Sequence, residues 1–119
     1  MKLIINLDYQ SRTPIYEQIV LEIERYVALG ILKPEEQIPP IREMATELGI
    51  NPNTVKKAYS ILETKGVIVT ISTKGTYIAY DTKKIVDEKI NSKISELKNI
   101  IGELEKLGIS KDEIIKEIK

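Results

Sequence analysis

The chain has 119 residues, 42% of them hydrophobic and 30% charged, and its 18 basic side chains balance 18 acidic ones. That length accommodates one ordinary domain, or one small domain with an appendage, and a modest core. Cysteine and histidine are both absent, which excludes disulfides, thiolate chemistry, cysteine-ligated metal and the commonest general base and metal ligand.

No apolar run approaches the roughly 18 residues that a membrane span needs. The opening Met1–Asn6 is too short an apolar run for a signal peptide, so the cytoplasm is the expected compartment. Charge is unevenly spread. Residues 17–47 hold seven acids against three bases, whereas residues 49–76 hold Lys56, Lys57, Lys65 and Lys74 against Glu63 alone. A neutral chain can carry a local positive field, and affinity for phosphate follows the local field.

Leu3-Ile4-Ile5 reads as a short strand or an arm. Thr13-Pro14 predicts a helix start, with Thr as N-cap and Pro at the first helical position. Ile15, Ile19, Ile23 and Val27 then recur at spacing four, flanked by Tyr16 and Tyr26, and Gly30 closes the helix. A second helix is expected from about Pro40 to Leu48, with Met44, Ala45 and Leu48 inward and Gly49 as its stop. The third starts at Asn51-Pro52 and ends at Gly66. Val55, Ala58, Tyr59 and Leu62 mark its buried side, and Asn53, Lys57, Ser60 and Thr64, with Lys56 beside them, follow the other.

The β-branched run Val67–Ile71 predicts a strand. Ser72-Thr73-Lys74-Gly75 is a turn and Thr76–Tyr80 the returning strand, a hairpin with a basic, glycine-bearing tip. Helix, short helix, tight turn, helix and hairpin form a winged helix-turn-helix pattern over residues 1–80. The expected fold class is therefore mainly α with a small β-hairpin, followed by C-terminal helices.

Residues 81–119 read as a separate helical segment. From Lys84 to Leu107 the apolar residues Val86, Ile90, Ile94, Leu97, Ile101 and Leu104 recur in steps of four and three, with Ile100 and Leu107 widening the stripe. Such a helix is ~36 Å long at ~1.5 Å per residue. Gly108 breaks it. Ser110-Lys111-Asp112-Glu113 is a capping box, and Ile114, Ile115 and Ile118 line one face of a last short helix. The stripe is too broad for a coiled-coil seam, so a bundle or antiparallel helical pair is expected. It either folds back on its own domain or meets a second copy. A winged domain already has a core of its own, which favours homodimerisation through Ile90, Ile94, Leu97, Ile101 and Leu104.

The block from Ile38-Pro39-Pro40-Ile41-Arg42-Glu43 through Leu48-Gly49-Ile50-Asn51-Pro52-Asn53-Thr54-Val55 to Lys56-Lys57-Ala58-Tyr59 resembles the GntR family of bacterial transcription regulators. Leu62-Glu63, Gly66, the wing residues Lys74-Gly75-Thr76-Tyr77 and the opening Pro14-Ile15-Tyr16-Glu17-Gln18-Ile19 extend the likeness over about residues 12–79. The short tail resembles the YtrA-type subfamily, whose small helical C-terminal segment dimerises in place of a large effector-binding domain. Three positions depart from the family pattern. Pro40 stands where Ser is usual, Pro52 where Arg is frequent, and Thr73 where the wing usually has a second glycine.

By position in the family motif, Arg42 resembles a DNA-contacting residue. A guanidinium can chelate guanine O6/N7 or clamp a phosphate; the alternative is a solvated arginine near Glu43 or Glu47. Asn51 is a good N-cap as well as a candidate contact. Asn53 and Thr54 lie in the first turn, where Asn can pair with adenine and Thr can touch a thymine methyl or a phosphate. Lys56, Lys57 and, at the hairpin tip, Lys74 suit phosphates; Ser72, Thr73 and Gly75 complete the candidate wing contact. Gly75 is first of all a backbone requirement of the turn.

The resemblance implies a sequence-specific DNA-binding regulator, with repression the expected mode. It would bind an inverted-repeat double-stranded operator as a homodimer, and transporter genes are the implied target. The alternative is a protein-interaction module that keeps the winged fold without specific DNA binding. Catalysis has no support, because the carboxylate pairs Glu35-Glu36, Asp87-Glu88 and Asp112-Glu113 sit in polar surroundings or at helix starts. No cofactor and no metal site are expected. With only residues 81–119 after the wing, no large effector domain is expected, and the sequence identifies no small-molecule effector.

Overall fold

The computed structural model describes residues 3–119; Met1 and Lys2, which open the short N-terminal apolar run, lie outside the described residues. The first helix, α1, spans Ile15–Ala28, one residue later than the Thr13-Pro14 pair suggests. Pro14 itself is the N-cap, with φ −56° and ψ 150°, and no side chain caps the helix. The reason is local. The Pro14 carbonyl accepts from the Gln18 backbone N–H at 3.1 Å, while the Thr13 carbonyl accepts from the Gln18 amide at 2.9 Å. The same amide group bonds Asp8 in both directions, at 2.8 and 2.9 Å, and so folds the 8–13 loop onto the helix start.

Leu3–Ile5 is an arm and joins no sheet. Leu3 and Ile5 are buried, Ile4 points outward, and the Tyr26 hydroxyl donates to the Ile4 carbonyl. Buried Ile19, Val20 and Ile23 form the inward stripe of α1.

A strand that sequence periodicity does not announce, β1, covers only Gln37–Ile38. Pro39 ends it, since proline has no N–H to give to a ladder. Just before it, Glu35 has φ 67°, the one positive φ among the described non-glycine residues. That strain, about 1–2 kcal/mol for an L side chain, is held by two ladder bonds. Glu35 N–H donates to the Ile78 carbonyl at 2.9 Å, and Ile78 N–H to the Glu36 carbonyl at 2.8 Å.

Helix α2 spans Ile41–Leu48, begins at Pro40 without a side-chain cap, and ends at Gly49 in the left-handed conformation, φ 67°. Helix α3 spans Pro52–Thr64 with Asn51 as N-cap. Strands β2, Ile68–Ile71, and β3, Gly75–Ile78, form the expected hairpin. With β1 they make a three-stranded antiparallel sheet in the order β1-β3-β2, so the wing is anchored on both sides of β3. Ile19, Ile23, Ile38, Met44, Val55, Leu62, Ile68 and Ile78 meet in one core. The buried Tyr59 hydroxyl donates to the Pro39 carbonyl at 2.6 Å, tying α3 to the start of α2.

Helix α4, Thr82–Lys106, is followed by α5, Lys111–Ile118. Residue contacts divide the chain into two units, one ending at Val86 and the other running from Asp87 to Lys119. Ile85 in the first turn of α4 packs on the core of the first unit. In the second unit, Ser110 caps α5 by accepting from Glu113 N–H at 3.2 Å, and Glu113 answers through its carboxylate at 3.1 Å. Ile114 is buried there and Ile101, Leu104 and Ile109 are half-buried. Among the described residues, no helix is long and apolar enough to cross a membrane.

Candidate nucleic-acid interface

The cap and first two turns of α3 gather half of the expected contact residues, Asn51, Asn53, Thr54, Lys56 and Lys57. Asn51 Oδ1 accepts from the Asn53 N–H at 2.8 Å, so this side chain is engaged as the helix cap. Pro52 at the first helical position supplies a pre-set φ and lacks the N–H that the cap would otherwise have to satisfy. Asn53 and Lys56 are exposed; Thr54 is half-buried. Val55, Ala58 and Tyr59 on the opposite side are buried, so helical periodicity alone turns the amide and amine outward.

Lys57 is exposed, and its ammonium lies 3.9 Å from the centroid of the Tyr16 ring. A cation over an aromatic face at an exposed site is worth about 0.5–1 kcal/mol. Lys57 thus pins α3 to the first turn of α1, a role that sequence spacing did not indicate. Tyr16 carried a signal as a flank of the α1 stripe and within the opening block of the family likeness, and neither pointed to Lys57.

Arg42 stands in the first turn of α2, which packs on α3, and is exposed. Among the described residues no ion pair or hydrogen bond engages the side chains of Arg42, Lys56 or Lys74. Glu43 and Glu47 share α2 with Arg42, close enough to add to the elevation of the Tyr59 pKa. Burial is the larger cause; both push the phenol well above its ordinary value, so it stays a neutral donor.

Ser72, Thr73, Lys74 and Gly75 form a second cluster at the hairpin tip. The first three are exposed and Gly75 is half-buried. The Lys74 N–H donates to the Ile71 carbonyl at 2.9 Å and closes the turn. On the other side of the turn, the Lys74 carbonyl accepts from Gln37 Nε2 at 3.2 Å and from the Tyr77 hydroxyl at 3.0 Å. Gln37 gave no sequence signal, because its place depends on the non-local pairing of β1 with β3.

In the second unit, Ile90, Ile94 and Leu97 are 50%, 44% and 51% exposed. Ile101 and Leu104 are already half-covered within that unit. Chemically, the whole surface offers amides, amines, a guanidinium and hydroxyls on a helix end and a turn. That set suits phosphates and base edges, and among the described residues there is no group of three or more potential metal ligands from His, Cys, Asp and Glu.

Residues 15–78 match the family of bacterial regulatory proteins, gntR family. The HTH-type transcriptional repressor YtrA of Bacillus subtilis (strain 168) is 39% identical over 116 residues, 97% of this chain and 89% of that protein. A transcriptional regulator from Oenococcus oeni has a crystal structure that superposes with a TM-score of 0.78 at 38% identity, covering 94% of this chain and 93% of the other. The crystal structure of AraR(DBD) in complex with operator ORX1 superposes with a TM-score of 0.55 at 26% identity, over 62% of this chain and 92% of that one.

Proposed function

The chain belongs to the GntR family of bacterial regulatory proteins, and on that premise we propose that it is a homodimeric repressor that reads an inverted-repeat operator. It is a DNA-binding transcription regulator, as its relatives are, and not an enzyme. In this reading residues 1–80 bind DNA and residues 81–119 join two copies. The observation that carries it is the outward set Asn53 and Lys56 on α3 with Arg42 on α2, all exposed on helices whose opposite faces build the core.

Asn53 reads a base edge and Thr54 supports it from the same turn. Arg42 reads guanine or clamps phosphate, and Lys56 neutralises phosphate. Asn51 acts through the cap that orients Asn53. Lys57 adds positive field from its seat on Tyr16. Ser72, Thr73, Lys74 and Gly75 follow the backbone of the duplex. The exposed residues Ile90, Ile94 and Leu97 meet their counterparts in a second copy, and two-fold symmetry then dictates an inverted repeat. Resemblance to YtrA-type regulators extends the proposal to a transporter operon in the cytoplasm.

Selection of bound sequences from random duplex DNA tests this directly. A recovered inverted repeat is the expected outcome. Asn53→Ala should then relax preference at one base pair per half-site, at a cost of roughly 1–3 kcal/mol there. Recovery of no consensus, or an Asn53→Ala and Arg42→Ala pair that both bind the consensus like wild type, refutes it.

A further inference from the structure

The wing tip is held by more than its own hairpin. Gln37 and Tyr77 are direct cross-strand partners on β1 and β3, so their side chains stand on one face of the sheet. Both donate to the Lys74 carbonyl, and those two bonds occupy both of its lone pairs. The Gln37 amide also lies tight over Gly75. A Cβ built there would meet Gln37 Nε2 at 2.7 Å, and Gly75 has φ +121°. A side chain at Gly75 would therefore displace the amide as well as strain the backbone.

We propose that Gln37 and Tyr77 are positioning residues that fix the peptide after Lys74 and so aim the Lys74 ammonium at a DNA phosphate. This rests on the reading of Lys74 as a DNA contact. The turn Ser72–Lys74 is exposed, and exposed turns are the mobile parts of a fold. Its Ile71–Lys74 hydrogen bond closes the turn, and Gly75 on the far side of the next peptide is in register with Ile71, but the Lys74 carbonyl is held by side chains, those of Gln37 and Tyr77. Two donors from two different strands add to the restraint on that peptide at its carbonyl end. Ordering the turn during folding leaves less to order on binding, so a contact made from it binds DNA more tightly. Neither Gln37 nor Tyr77 needs to touch DNA for this.

The experiment uses the full chain and a fluorescently labelled mixed-sequence duplex, because phosphate contacts are sequence-independent. Gln37→Leu removes the amide, and Tyr77→Phe removes only a hydroxyl, keeping a test that folds if the first variant does not. Each is made alone, together, and in a Lys74→Ala background, with affinity followed by anisotropy across a salt series. Lys74→Ala is expected to raise Kd by up to about eightfold near 0.1 M salt and to lower the salt slope by up to ~1. The double clamp variant should show a measurable part of that same loss and of that slope change, with melting temperature little altered. In the Lys74→Ala background the clamp variants should have little further effect, since the group they aim is gone.

Clamp variants that bind like wild type while Lys74→Ala weakens binding overturn the proposal alone. So does a clamp effect of equal size in both backgrounds, which would mark Gln37 and Tyr77 as merely structural or as contacts themselves. A Lys74→Ala chain whose affinity and salt slope match wild type overturns the wing contact, and the clamp with it.

Discussion

Replacing Tyr59 by Phe deletes one hydroxyl from the junction of α3 with the start of α2. The ring is 4% exposed, and its hydroxyl donates to the buried Pro39 carbonyl at 2.6 Å. The packing is kept, but the carbonyl is left with no donor where water has little access. Leaving a buried acceptor unsatisfied costs about 1–3 kcal/mol. For a domain of roughly 60–100 residues each kcal/mol moves the melting temperature by about 4–8 °C. Thermal and urea melts of the two chains therefore should differ clearly. The pH dependence identifies the group. Burial, and then Glu43 and Glu47, raise the folded-state pKa of Tyr59. A raised folded pKa means stability that is fully present below the unfolded value, ~10 for tyrosine, and lost as pH rises above it. The advantage of wild type over Tyr59→Phe should be constant at neutral pH and shrink from about pH 9 to 11. Equal stability at pH 7, or a gap that does not narrow with alkali, refutes the assigned role.

Glu35→Gly should stabilise the protein by up to ~1 kcal/mol in urea melts, because relief of a left-handed side chain, about 1–2 kcal/mol, exceeds glycine's added freedom in the unfolded chain. Asn51→Ala should cost about 1 kcal/mol through loss of the cap to Asn53 N–H, read by the same melts; an unchanged midpoint would show the cap to be idle. Ile94→Glu with Leu97→Glu should leave helix content intact and convert a dimer into a monomer in sedimentation. A wild-type chain that is monomeric at micromolar concentration contradicts the dimer proposal outright.

The helices were legible because each carries its own punctuation. Gly49, Asn51-Pro52 and Ser110 with Glu113 stand at helix ends where local chemistry alone dictates the geometry. The α1 start was displaced by one residue because Gln18, ten positions from Asp8, competes for the groups that Thr13-Pro14 would have used. Strand β1 escaped notice for a different reason. Two residues have no periodicity, and only their register against Tyr77 and Thr76 makes them a strand. The candidate interface divides along the same line. Asn53, Lys56 and Lys74 follow from helix phase and turn position, whereas the Lys57–Tyr16 contact and the Gln37 bond to Lys74 are tertiary and leave no trace in local spacing.

The α2–α3 corner has a consequence for the heat of binding. Gly49 is already left-handed, Asn51 already caps, and Pro52 has its φ fixed by the ring in the free chain. The helix end offered to DNA is therefore frozen before any encounter. Association then resembles the docking of a finished part, without the large negative heat-capacity change that marks a segment folding on its target. Calorimetry over a range of temperatures should return a heat-capacity change accounted for by the surface covered, with no excess from newly formed helix.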